Sequence, residues 1–153
     1  MTRRVTRGFD PARLRRAREE HPDPNLRTRA EVARLAGIGV STLQHWENGT
    51  KSPQIDKLAQ VCRALGIRIQ DVVDIPTEEL RLGDWRVRRG MLLPEVARRA
   101  GLSSAHVARL EAGQVVTLPD VTAKRLADAL EISVDEALEA YERGRGRGAG
   151  ESA

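Results

Sequence analysis

The side chains with the strongest chemical signature are arginines, and they are unevenly placed. Residues 1–76 carry 14 Lys+Arg against 9 Asp+Glu, residues 77–141 carry 9 against 11, and residues 142–153 carry 3 against 2. The formal net charge of +4 thus conceals a basic first half and a slightly acidic second half. A guanidinium is a planar fork that fits phosphate oxygens and the guanine edge, which makes the first half the candidate for touching nucleic acid. A GC-rich genome that uses Arg in place of Lys would give the same composition, so composition alone leaves the partner open. Other chemistries have less behind them. The single cysteine, Cys62, cannot form an internal disulfide, there is no CxxC, and His21, His45 and His106 lack metal-ligand spacing. Cys62 falls on the apolar face of a candidate helix, which suits a small buried residue better than a redox sensor. The one Gly-rich stretch, Arg143-Gly144-Arg145-Gly146-Arg147-Gly148, precedes no helix and matches no phosphate-cradling loop. No acid, base and nucleophile converge in the pattern, so no enzymatic activity, metal or cofactor is expected. No apolar run approaches the roughly 20 residues of a membrane span, and the opening MTRRVTRGFD is not followed by an apolar block. The expectation is a reduced cytosolic protein with no membrane association.

The elements that must position these residues are helices. Apolar residues recur at three and four, with no sustained alternation, so the chain reads as all-α. Arg3, Arg4 and Arg7 lie in a basic arm, residues 1–8, that has no apolar face and is expected to be mobile. Asp10-Pro11 predicts a helix start, with Asp as N-cap and Pro at the first helical position, and the helix runs to about Glu20 before His21-Pro22-Asp23-Pro24-Asn25 stops it. Thr28 and Glu31 have capping-box spacing for a second helix that Gly37 ends. A third covers about Val40–Glu47 and stops at Asn48-Gly49. Pro53 precedes a fourth, reaching Leu65, with Leu58, Val61, Cys62 and Leu65 on one face. A short fifth helix is expected near Ile69–Val73, and Ile75-Pro76-Thr77 breaks the chain.

The pattern then repeats. A shift of 64 superposes Glu31-Val32-Ala33-Arg34 on Glu95-Val96-Ala97-Arg98, Ala36-Gly37 on Ala100-Gly101, Glu47 on Glu111 and Gly49 on Gly113. Upstream, Leu14 and Arg18 match Leu82 and Arg86 at a shift of 68; downstream, Ala64-Leu65 and Ile67 match Ala129-Leu130 and Ile132 at a shift of 65. Two tandem copies of one small five-helix domain are expected, over residues 9–75 and 76–141, with a disordered Arg/Gly tail at 142–153. Within each copy a helix ends at Ala-Gly, a turn of a few residues follows, and a second helix begins. This is helix-turn-helix spacing, in which the second helix can enter a major groove.

In the first copy that spacing sits inside a longer pattern: Leu14-x3-Arg18, then Thr28-Arg29-x-x-Val32-Ala33-x3-Gly37-Ile38-x4-Leu43-x-x-Trp46-Glu47-Asn48-Gly49, then Pro53-x4-Leu58-x6-Leu65-Gly66-Ile67. The pattern resembles the DNA-binding domain of the lambda Cro/repressor family, over about Pro11–Val73 and, with more departures, Leu82–Tyr141. The resemblance implies a five-helix bundle whose second and third helices form the helix-turn-helix. It also implies partly buried structural ion pairs, Arg18 with Glu47 and Arg86 with Glu111. A charge near a small core survives only with a partner, which supports both pairs independently.

By the same resemblance, base reading in the first copy falls to Val40, Ser41, Gln44 and His45, with Leu43 and Trp46 facing inward. Gln44 can offer a bidentate amide to adenine, Ser41 can serve a base or a phosphate, Val40 can pack on a thymine methyl, and His45 can donate to a guanine or a phosphate. Phosphate contacts map to Arg27, Thr28, Arg29, Asn48, Thr50 and Lys51, with the arm arginines in reach of a groove. Arg29 stands where the family usually has Gln, which keeps donor capacity, adds charge and is expected to strengthen the clamp. The second copy departs from this scheme. Leu93 occupies the clamp position and Pro94 follows it; the recognition positions become Ser104, Ala105, Ala108 and Arg109, with Ser103 beside a phosphate. Ser104 and Arg109 are its candidate base readers.

The resemblance therefore implies a bacterial or phage-type regulator of transcription, a repressor, that binds double-stranded DNA in the cytoplasm and associates with the nucleoid. The second domain either reads an adjacent half-site or mediates homodimerisation or partner binding, as in an antitoxin or adaptor.

Overall fold

The computed structural model describes Arg4, Val5 and residues 7–145; Arg3 of the arm and the tail from Gly146 to Ala153 lie outside the described residues. The chain divides between Ile75 and Pro76 into two compact units. Among the described residues all regular structure is helical, with two isolated β-bridges and no strand.

In the first unit α1 (Pro11–Glu19) starts as its sequence demands: the Asp10 carboxylate accepts from the backbone N–H of Ala12 and Arg13, and Pro11 opens the helix. A 3₁₀ turn (Pro24–Arg27) leads to α2 (Arg29–Ala36), where the Thr28 hydroxyl accepts from Glu31 N–H at 3.3 Å. The Glu31 carboxylate turns to Arg34 rather than back to the cap, so the box is half made. Gly37 ends α2 at φ 70°, a left-handed conformation that costs little only without a Cβ. The chain is then aimed into α3 (Val40–Asn48), and α4 (Ile55–Leu65) follows a loop. Leu14, Val32, Leu43, Trp46, Leu58, Val61 and Leu65 form the core, with α2 packed on α3 and α4 and α1 packed on α3. The expected fifth helix is a three-residue 3₁₀ turn, Ile69–Asp71.

The arm departs from the mobile segment expected of it. Val5 is 2% exposed and its N–H donates to Pro53 O at 2.8 Å, Arg4 pairs with Gln54 in an antiparallel bridge, and Phe9 pairs with Val73 in another. One buried valine and a few backbone bonds suffice to hold a short segment, and neither leaves a periodic trace.

The second unit repeats the plan with a 3₁₀ turn (Thr77–Glu79), α5 (Leu82–Arg88), α6 (Leu93–Ala100), α7 (Ser104–Glu111), α8 (Asp120–Leu130) and α9 (Val134–Arg145). Here the fifth helix is full length and takes in Glu142–Arg145, the start of the tail expected to be disordered. Gly144 is buried, and Arg143 donates to Leu80 O at 2.9 Å. The fit is close: a Cβ on Gly113 would lie 2.5 Å from Gly144 O, so the α7–α8 loop meets the end of α9 only because Gly113 has no side chain. Two helix ends are closed alike in the two units. His21 donates to the last α4 carbonyl, Leu65 O, at 2.9 Å, and Arg89 donates to the last α8 carbonyl, Leu130 O, at 2.8 Å.

Candidate nucleic-acid interface

Two buried ion pairs anchor the two helix-turn-helix frames. In the first unit the Glu47 side chain is fully buried and accepts from Arg18 Nε at 2.7 Å and Nη2 at 2.8 Å. In the second, Arg86 Nε and Nη2 reach Glu111 at 2.8 and 3.1 Å. The correspondence extends to the third guanidinium donor, which goes to Arg27 O in one unit and to Met91 O in the other, residues 64 apart in the repeat. Each arginine thus ties α1 or α5 both to α3 or α7 and to the chain entering α2 or α6. Such fork-to-fork geometry is directional and resists rotation of one helix against another.

Arg29 holds a place that sequence reasoning did not assign. Its Nε donates to Glu47 Oε1 at 3.0 Å, making it a second cationic partner of the buried carboxylate, with a side chain one-third exposed. Burial pushes the Glu47 carboxyl up, and the hydrogen bonds from Arg18 and Arg29 outweigh it and hold the group below the usual carboxylate range. The Arg18 guanidinium is raised in turn, first by its hydrogen bond to Glu47. Two guanidiniums share one carboxylate, so the cluster keeps one net positive charge at the start of α2. The signal that would have found this contact is the spacing between an Arg one residue after the Thr28 cap and the Glu two residues before Gly49. Only a known fold makes that distance short.

The outward face of α3 carries Val40, Ser41 and Gln44, all exposed, with His45 half-buried and Leu43 and Trp46 in the core. Around it Arg27 donates through Nε to His21 O at 2.7 Å, Asn48 accepts from Arg15 at 3.3 Å through its carbonyl, and Lys51 is exposed. Thr28 accepts at its cap and retains its hydroxyl proton as a donor. His45 Nδ1 lies 2.7 Å from the Thr50 hydroxyl. A cleft of about 400 Å³ runs beside α3, lined in part by Arg4, Ser41, His45, Lys51 and Lys57. Cations and neutral donors line this side of the first unit, a distribution suited to a polyanion.

The second unit presents a different surface at the corresponding positions. Leu93, at the clamp position, is 4% exposed and belongs to the core. Ser103 caps α7 by accepting from His106 N–H at 3.1 Å, Ser104 is half-buried, and Ala105 offers no hydrogen-bonding group. Arg109 is exposed and makes no ion pair with any described residue. Of the other candidates, Cys62 is buried, and burial with the nearby Asp71 charge pushes its thiol up to about 12. No group of acidic, His and Cys side chains among the described residues could hold a metal ion, and no helix among them is long and apolar enough to cross a membrane.

Comparison with known proteins follows the same division. A helix-turn-helix family model matches residues 14–72, and a second, a helix-turn-helix domain, matches residues 80–140. No curated protein matches the chain. Domains of this kind support a DNA-binding regulator in general. The chain thus carries two helix-turn-helix domains in tandem, matching a two-copy Cro/repressor-like arrangement.

Proposed function

We propose that the chain is a sequence-specific, double-stranded-DNA-binding repressor of transcription whose first unit reads the major groove with α3. The carrying observation is the exposed Ser41, Gln44 and half-buried His45 on a helix whose inner face is fixed by Leu43, Trp46 and the Glu47 cluster. Polar groups on a rigidly held helix can be aimed at base edges, whereas the same groups on a loose segment cannot. Arg27, Thr28, Arg29, Asn48 and Lys51 supply the flanking phosphate contacts. Repression needs no further surface, because occupancy of a promoter-overlapping site is enough.

A second role for the second unit is favoured by specific residues. With Leu93 buried and with Ala105 and Ala108 lacking a polar side chain, its corresponding face is short of donors, while Val116 and Val121 are 73% and 66% exposed. The unit thus serves assembly or a protein partner, with Ser103, Ser104 and Arg109 as its remaining DNA candidates. Selection of bound duplexes from a random pool, followed by footprinting and mass measurement of the complex, tests both roles. A footprint of one half-site that survives Arg109→Ala supports the division of labour. Two unlike half-sites, one lost with Arg109→Ala, would assign reading to both units. Gln44→Ala is expected to relax discrimination at its position by about 1–3 kcal/mol.

A further inference from the structure

The hydrogen bonds around His45 specify more than its location. Thr50 Oγ1 lies 2.7 Å from His45 Nδ1 and 3.2 Å from the His45 carbonyl oxygen. A threonine hydroxyl has one proton, and a carbonyl oxygen can only accept. Both contacts are attractive in one assignment: the hydroxyl donates to the His45 carbonyl, and Nδ1–H donates to Oγ1. The opposite tautomer would direct the hydroxyl proton at Nδ1 and leave two acceptors facing each other at 3.2 Å.

We infer that Thr50 is a positioning residue that fixes neutral His45 as the Nδ1–H tautomer, leaving Nε2 as a hydrogen-bond acceptor at the recognition face. With that polarity His45 reads a donor on a base edge, the N4 amino group of cytosine or the N6 amino group of adenine, and not guanine O6/N7 or a phosphate. Nε2 has no partner among the described residues. Phosphate-seeking donors are already supplied beside it by Arg4, Lys51 and Lys57, which line the same cleft. Thr50, with its one proton directed at the His45 carbonyl, is thereby removed from the set of phosphate donors. The readout half of this inference rests on α3 facing the groove; the tautomer half does not.

Nitrogen-15 spectra of the imidazole side chains of the full chain, taken where the rings are neutral, test the tautomer without DNA. His45→Gln identifies the His45 signals among the three histidines. The expected pattern is Nδ1 protonated and Nε2 bare, shifting toward the Nε2–H form in Thr50→Val, with the Trp46 signals unmoved as a check on folding. An Nε2–H pattern in the unaltered protein, or no change in Thr50→Val, overturns the inference. The DNA arm uses selected duplexes in which one cytosine at a time is replaced by a pyrimidin-2-one nucleoside, or one adenine by purine, removing only the amino group. One position should lose roughly 3- to 10-fold in affinity with the unaltered protein and nothing with His45→Ala. A guanine contact at that position, or indifference to every amino group, overturns the readout. Failure to bind any duplex at low salt overturns the DNA reading and the readout with it, and the tautomer result still stands on its own spectrum.

Discussion

Glu47→Ala removes the carboxylate that three nitrogen–hydrogen groups converge on and leaves Arg18, 7% exposed, without its partner. Removing one member of a buried pair costs about 3–5 kcal/mol, because the remaining charge has lost its compensation and cannot reach water. Arg29 is one-third exposed and can turn to solvent, so it adds little to that figure. The equivalent change in the second unit, Glu111→Ala, should cost less, about 2–3 kcal/mol, since the Glu111 side chain is 16% exposed whereas that of Glu47 is fully buried. Each unit holds one tryptophan, Trp46 and Trp85, both buried, so 5-fluorotryptophan gives one fluorine resonance per unit. In urea a unit of this size has a slope of about 1 kcal/mol per molar. The Trp46 midpoint should therefore fall by about 3 M or more in Glu47→Ala, or that unit should be unfolded in buffer, while Glu111→Ala moves the Trp85 midpoint less. A shift of the Trp46 midpoint below about 1 M would refute the buried-pair reasoning.

Three further outcomes follow from the same geometry. Arg29→Met is expected to weaken binding to all duplexes alike, lower the magnitude of the salt slope by about 1, and destabilise the first unit by about 1 kcal/mol; salt-dependent anisotropy and urea titration separate the two effects. Acid should unfold the first unit through Glu47. Its carboxyl lies lower in the folded than in the unfolded state, so the stabilisation is full above about pH 4.3 and is lost as pH falls through the folded value, which the Trp46 fluorine resonance followed against pH reads directly. Cys62, with its thiol pushed up to about 12, should resist thiol reagents at neutral pH and react only once its unit unfolds in denaturant.

Helix punctuation and the repeat were legible because each has a local cause. Gly37 and Gly101 end helices at left-handed φ, Asp10 and Thr28 cap them, and the shift of 64 brings these signals into register. The Arg18–Glu47 and Arg86–Glu111 pairs followed from the resemblance and from the cost of a lone charge in a small core. Features that escaped were those set by contacts distant in sequence. Arg29 was legible as a candidate phosphate clamp but not as a partner of Glu47, because nothing local reveals that Glu47 lies 3.0 Å away. The arm looked mobile because the backbone partner of Val5, Pro53 O, lies some fifty residues on. Glu142–Arg145 looked like the start of a polar tail, yet α9 continues through them because Gly113 lets the backbones meet and Arg143 finds Leu80 O. Helix spacing puts His45 beside Ser41 and Gln44, but its contact through Nδ1 with Thr50 forms only in the folded turn and has no sequence signal.

The central claim is that α3 of the first unit presents an ordered reading face to a double helix. Its most direct test is equilibrium binding of the full chain to its selected duplex across salt, beside a Ser41→Ala/Gln44→Ala/His45→Ala variant. The account predicts affinity falling with a log–log slope of roughly −3 to −5, from the cations Arg27, Arg29 and Lys51 together with Arg4 and Lys57 of the cleft, and a variant that retains the slope but no longer distinguishes the selected duplex from a scrambled one. Undiminished discrimination by the triple variant, or no binding at low ionic strength, would contradict it.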